Sequence, residues 1–265
     1  MQELPVRGAG VRELALRLPP RRMAPLRAGR PLKRWRWVGV FRPDVMLCIG
    51  DARVAGIRQR WWAVALPDGT LVEGSGGLGI HIDRVHPDVE IDLDLREGEG
   101  VEVVSPDGRS WVWTRKQALV PVNGRVRIGD RTFELDGDCG FVDDSAGYHA
   151  RHTAWRWSAG IGRANDGSAV AWNLVDGVHD RLENSERTVW VDGAPREVPP
   201  QEFAADLSQV GGLRFREWSV RESNRNLLVM RNRYRQPFGE FSGTLPGGLA
   251  LAEGHGVMEE HDVLW

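Results

Sequence analysis

Between Phe141 and Gly160 the chain gathers the side chains best suited to moving protons. Asp143, Asp144, Tyr148, His149, Arg151 and His152 fall within ten residues. Each can donate, accept or hold a proton beside a polar ligand atom. Trp155 and Trp157 follow directly. Residues two apart on a strand share a face, so the pair would form a flat apolar wall. Such a wall next to a few polar groups is the composition of a small-molecule pocket. His149 and His152 are three apart and cannot share a face of one regular strand, so at least one belongs to the loop before it. An imidazole against Asp143 or Asp144 would keep its proton above the free value of ~6.5. The same residues have a plainer use, with aspartates capping a turn and tryptophans filling a core. Further carboxylates stand in Asn184-Ser185-Glu186-Arg187 and at Glu260.

Other chemistries find less support. Gly74-Ser75-Gly76-Gly77-Leu78-Gly79 has the G-x-G-x-x-G spacing, but a dinucleotide site needs that loop to open a helix. Ile80–Val85 reads instead as a strand, so no nicotinamide or flavin cofactor is expected. There is no phosphate-binding G-x-x-x-x-G-K-[ST] loop and no G-x-S-x-G nucleophile elbow. His149-x-x-His152 is poorly spaced for chelation on a strand, and Cys48 and Cys139 stand far apart in sequence. No metal is expected.

The elements that must position these groups are strands. Apolar and polar residues alternate over Asp88–Leu95, with Val89, Ile91, Leu93 and Leu95 on one face and Asp88, Glu90, Asp92 and Asp94 on the other. Trp35/Trp37 and Trp111/Trp113 repeat the spacing of Trp155/Trp157. Seven Asp-Gly or Asn-Gly pairs, at 68, 107, 123, 136, 166, 176 and 192, suit tight hairpin turns. The pattern predicts an all-β protein of two antiparallel barrel or sandwich units, divided near Gly140 into residues 1–140 and 141–265. Pro200–Ser208 is the best helix candidate, and the first 30 residues read as an irregular basic segment.

The 265 residues carry a formal net charge of −2, which gives no overall field for nucleic acid or anionic lipid. Residues 1–36 hold ten Lys or Arg against Glu3 and Glu13, whereas residues 83–102 hold eight Asp or Glu against Arg84 and Arg96. A basic edge facing an acidic strand accounts for this better than phosphate contacts with bases stacked on Trp35 and Trp37. Two cysteines suit reduced thiols. No secretory h-region or stretch of ~20 apolar residues occurs, so a cytoplasmic protein with no membrane span is expected.

The chain resembles the bacterial family DUF2804. The resemblance is carried by Gly29–Phe41, Tyr148-His149-Ala150-Arg151-His152-Thr153-Ala154-Trp155-Arg156-Trp157, Asn184–Arg187, Gln236–Gly243 and Gly254–Glu260. It also resembles, more loosely, the paired lipocalin-like proteins that include carotenoid hydratases. That second likeness implies cofactor-free hydration or isomerisation, with His149 or His152 as acid/base and Asp143 or Asp144 as its partner. The chain departs from those enzymes in placing Tyr-His-Ala-Arg-His where they carry an Asp-His beside a Trp. The expectation is a β protein that holds a mostly apolar or lipid-like small molecule. Its ligand contacts would be Tyr148, Arg151, Trp155, Trp157, Glu186 and Glu260. A non-catalytic carrier and a protein-interaction module are the alternatives.

Overall fold

The computed structural model describes residues 3–76, 82–86, 88–227 and 230–265. Two curled antiparallel sheets account for nearly all of it. The first runs in the order Val6–Arg7, Val101–Asp107, Ser110–Ile128, Arg131–Gly147, Lys33–Phe41, Met46–Val54, Ile57–Ala65 and Leu71–Ser75. Val89–Leu95 adds to Ser110–Ile128, and Ile82–His86 pairs with it in turn. The second runs Ala194–Glu197, Thr188–Val191, Ala169–Asp176, His152–Ala164, Leu251–Leu264, Met230–Gly243, Leu213–Leu227 and Gln209–Val210. The expected all-β, antiparallel architecture is therefore present, and the sheets curl as half-barrels. The one helical element among the described residues is a 3-10 turn at Gly8–Glu13.

Gly140 lies inside the strand Arg131–Gly147, and the chain passes between sheets over residues 148–151. Asp143 and Asp144 thus belong to the first sheet, and Trp155 and Trp157 to the second. The helix expected at Pro200–Ser208 is absent. Pro199 precedes it, Asp206 Oδ1 takes the Ser208 N–H at 3.0 Å, and Leu207 sits at φ +63°. A nine-residue stretch with those local bonds does not nucleate a helix.

All seven glycines of the Asp-Gly and Asn-Gly pairs have positive φ. Four pairs turn hairpins, and Asp176-Gly177 opens the loop 177–187. Asn123-Gly124 and Asp136-Gly137 do not turn the chain. They lie opposite one another within two long strands, at a register shift between Val122 and Gly124. Positive φ serves a bulge as well as a turn.

Alternation gives each sheet two buried faces. One face packs on its own sheet's curl: Val40, Leu47, Trp62, Ile91 and Leu93 in the first sheet, Val170, Trp172, Leu174 and Phe241 in the second. Gly160 is required beneath Trp172, since a Cβ there would stand 2.1 Å from the indole. The other faces meet each other. Trp37, Phe41, Met46, Cys48 and Phe141 pack against Trp157, Ala159, Ala171, Trp190 and Phe238. Trp37 meets Trp157 edge to face at 5.2 Å. Both cysteines are free.

Candidate functional site

The passage between the sheets is held rigidly at both ends. Ala150 N–H donates to Asp107 Oδ2 at 2.9 Å, and the buried Lys33 Nζ donates to the His149 carbonyl at 3.0 Å. This places the His149 ring between the sheets, 2% exposed, 4.9 Å from the Trp35 ring. Its other neighbour is His179, edge-on at 6.2 Å, carried by the loop after Asp176-Gly177. His149 Nε2 has no hydrogen-bond partner, and neither ring nitrogen of His179 has one. Burial pushes the His149 pKa well below the usual histidine range, and the charges of His179, Lys33 and Arg30 push it further. Burial also lowers His179, with Glu186 opposing. Both imidazoles are therefore neutral near pH 7, the reverse of the raised value that a carboxylate partner would have given.

The two rings border a half-open cleft of about 340 Å³. Its apolar wall is Pro106, Val112, Ala154 and Val178, and its polar wall is Asp107, His149, His152, His179, Asp180 and Arg181. His152 stands at the rim, its side chain 57% exposed, with Nε2 3.0 Å from Asp262 Oδ1. The histidine with a carboxylate partner is thus the exposed one, and the buried histidine has none.

Behind the His179 loop lies a buried ionic array. Lys116 Nζ is 2.6 Å from Asp143 Oδ1, 3.4 Å from Glu186 Oε1 and 5.8 Å from the centre of the Trp157 ring. Burial works against the Lys116 ammonium, but Asp143 and Glu186 outweigh it and raise its pKa. Burial holds Asp143 up at about 6 despite Lys116. For Glu186 burial is the largest single influence and pushes up, but Lys116, His179 and a hydrogen bond from Thr114 together outweigh it, and the carboxyl stays below its ordinary range. On the second sheet, Glu259 accepts from Trp155 Nε1 at 2.7 Å, Tyr234 OH at 3.0 Å and Gln236 Nε2 at 2.7 Å. Burial nonetheless raises it to about 7.

The sequence-predicted residues separate into two groups. Asp143, His149, Trp155, Trp157 and Glu186 all lie between the sheets, with His152 at the cleft rim. The tryptophans do not line the cleft: Trp157 Nε1 donates to Asn173 Oδ1 at 2.8 Å, and Trp155 is tied to Glu259. Asp144 points away from the second sheet into an ion network with Arg36 and Arg115. Tyr148 anchors the N-terminal segment, donating to the Ala24 carbonyl at 2.9 Å. Arg151 is exposed. Glu260 lies 3.4 Å from Arg156, on the strand face opposite Glu259. Lys116, His179 and Glu259 were not singled out by sequence reasoning. His179 follows an Asp-Gly pair, a signal for a loop that could present it. Lys116 and Glu259 carry no local signal, because strand register brings them into place.

Among the described residues no three His, Cys, Asp or Glu side chains group as metal ligands, and no helix is long and apolar enough to cross a membrane. Gly77, Leu78 and Gly79 of the glycine-rich run lie outside the described residues.

The model of a family described as a domain of unknown function, DUF2804, matches residues 78–265. No curated protein matches the chain. Among solved structures, a protein described as AttH from Nitrosomonas europaea is similar at 13% identity and TM-score 0.41, over 93% of this chain and 98% of that one. Kievitone hydratase from Nectria haematococca is similar at 9% identity and TM-score 0.45, over 86% and 88%. CghA is similar at 9% identity and TM-score 0.39, over 88% of each chain.

Proposed function

This chain belongs to the DUF2804 family, and we propose that it binds a small molecule in the cleft between the 105–108 turn, the 149–154 passage and the 177–181 loop. One observation carries the reading. His149 Nε2 and both His179 ring nitrogens are buried at this cleft without partners. An unsatisfied buried polar group costs about 1–3 kcal/mol, so three of them on residues beside one cavity favour a ligand that completes them. Neutral imidazoles offer both donors and acceptors, which suits hydroxyl or carbonyl oxygens. Pro106, Val112 and Val178 supply contact for an apolar body, in keeping with a mostly apolar ligand.

The test is native mass spectrometry of protein purified from its own host. The wild type should retain a small-molecule mass that His179→Ala loses, and equal retention by both would reject the site.

Cofactor-free acid/base chemistry, such as hydration or isomerisation, is the second reading. It is favoured by the His152–Asp262 pair at the rim of the same cleft. An imidazole held by a carboxylate is an arrangement that general acid/base catalysis uses. Under this reading His152→Ala abolishes turnover of the retained molecule while leaving its binding in place. Unchanged turnover would leave the protein a carrier.

A further inference from the structure

The loop that forms one wall of the cleft has little structure of its own. Residues 177–187 contain no strand or helix, and the few hydrogen bonds within them are anchored by others from outside the loop. We propose that Arg7 is a positioning residue of the cleft, reaching from the first sheet to the second to hold the segment from which this wall hangs. The proposal rests on the cleft being the binding site.

Arg7 sits on the edge strand Val6–Arg7, in register with Val103 of the first sheet. Its Nη1 donates to the Ser185 carbonyl at 2.5 Å and its Nη2 to Thr188 Oγ1 at 2.9 Å. The guanidinium therefore brackets Glu186 on both sides. Glu197 completes the clamp: its Oε1 accepts from Ser185 N–H at 2.6 Å and Ser185 Oγ at 2.8 Å, and its Oε2 lies 3.9 Å from Arg7 Nε. The wall is tied to this bracketed segment. Glu186 N–H donates to the His179 carbonyl at 3.2 Å, and the buried Arg187 donates through Nη2 to the Arg181 carbonyl at 2.5 Å. A planar guanidinium fork can serve two acceptors in different directions, which an ammonium on a flexible stem does not reproduce. The bonds are charge-assisted and mostly shielded from water, so they count for more than surface contacts.

Arg12 provides the internal contrast. It belongs to the same N-terminal segment but bonds to the Pro19 carbonyl and to Glu102, and none of its hydrogen bonds reaches residues 185–188. A purely structural role for the N-terminal segment would make Arg7 and Arg12 equivalent.

The experiment compares full-length Arg7→Ala, Arg7→Lys and Arg12→Ala with the wild type. It uses limited trypsin digestion, scored at the bond after Arg187, and diethyl pyrocarbonate modification of His179. Arg7→Ala is expected to speed both by roughly tenfold or more, the effect of losing one or two charge-assisted bonds on local opening. Millimolar guanidinium should slow them again. Arg7→Lys should also open the segment, and it carries the test if Arg7→Ala does not fold. Arg12→Ala should leave both rates at the wild-type value. Wild-type rates in both Arg7 variants, or equal opening in Arg12→Ala, would overturn the proposal. Neither readout needs a ligand, so a cleft that binds nothing would be recognised separately from an Arg7 that positions nothing.

Discussion

The two inner packing faces and the face between the sheets are built from the same alternating strands, yet they are filled differently. Val40, Leu47, Trp62, Ile91 and Leu93 in one curl, and Val170, Trp172, Leu174 and Phe241 in the other, form dry apolar clusters. The space between the sheets holds comparable aromatics, Trp37, Phe141 and Trp157, but also buried Lys116, Asp143, Glu186, Glu259 and His149. Burying charge costs several kcal/mol per ion unless it is paired, and a packed apolar residue of the same volume is often more stable. The inner faces therefore follow the arrangement that stability alone favours, and the shared face departs from it. Groups that lower stability without helping the fold are the ground on which the site is proposed at the shared face.

The largest expected effects set one face against the other. Trp172→Ala should destabilise by ~3–5 kcal/mol, since it empties an inner cluster. Lys116→Met should cost a similar ~3–5 kcal/mol at pH 8, because it leaves Asp143 and Glu186 as an unbalanced buried pair. The two should differ in pH dependence. Without Lys116, Asp143 takes up its proton more readily, so the Lys116→Met deficit should shrink as pH falls toward 5. The Trp172→Ala deficit should not change. Denaturant titrations at both pH values measure this, and parallel behaviour would show the ionic array to be inert packing.

Glu259 sharpens the contrast. Its carboxyl is raised from 4.5 to about 7, so the folded protein keeps a proton that the unfolded chain releases. Its contribution to stability is present below about 4.5 and is lost as pH climbs through about 7. Glu259→Gln should remove that loss. Relative to wild type, the variant should gain on the order of 3 kcal/mol between pH 4.5 and 8, read from unfolding curves across that range. A constant difference would mean that Glu259 is ionised throughout.

The smallest effect belongs to the rim. His152 is mostly exposed, so His152→Ala should change stability by no more than ~0.5 kcal/mol. A drop above 2 kcal/mol would make His152 part of the fold rather than of the cleft.

The strands were legible because alternation and Asp-Gly chemistry are local. Val89–Leu95 stands where its pattern places it. Asn123-Gly124 and Asp136-Gly137 read as turns because a bulge asks for the same positive φ, and only the partner strand tells them apart. Asp143, His149 and Glu186 stood out by their dense polar neighbourhoods, and the fold buries all three between the sheets. Glu259 was missed in favour of Glu260 because one residue of register decides which carboxylate faces inward. That register is set by pairing with Trp157, about a hundred residues away in sequence. The link from Arg7 to Ser185 and Thr188 joins two sheets, and a single strand's pattern carries no trace of it.

If the cleft at His149 and His179 is built for a ligand, a crystal structure of the protein isolated from its own host should show one there. Density for a small molecule is expected in the cleft, with an oxygen within ~2.7–3.2 Å of His149 Nε2 or a His179 ring nitrogen. A cleft holding only solvent, with the ligand elsewhere between the sheets against Glu259, would contradict it.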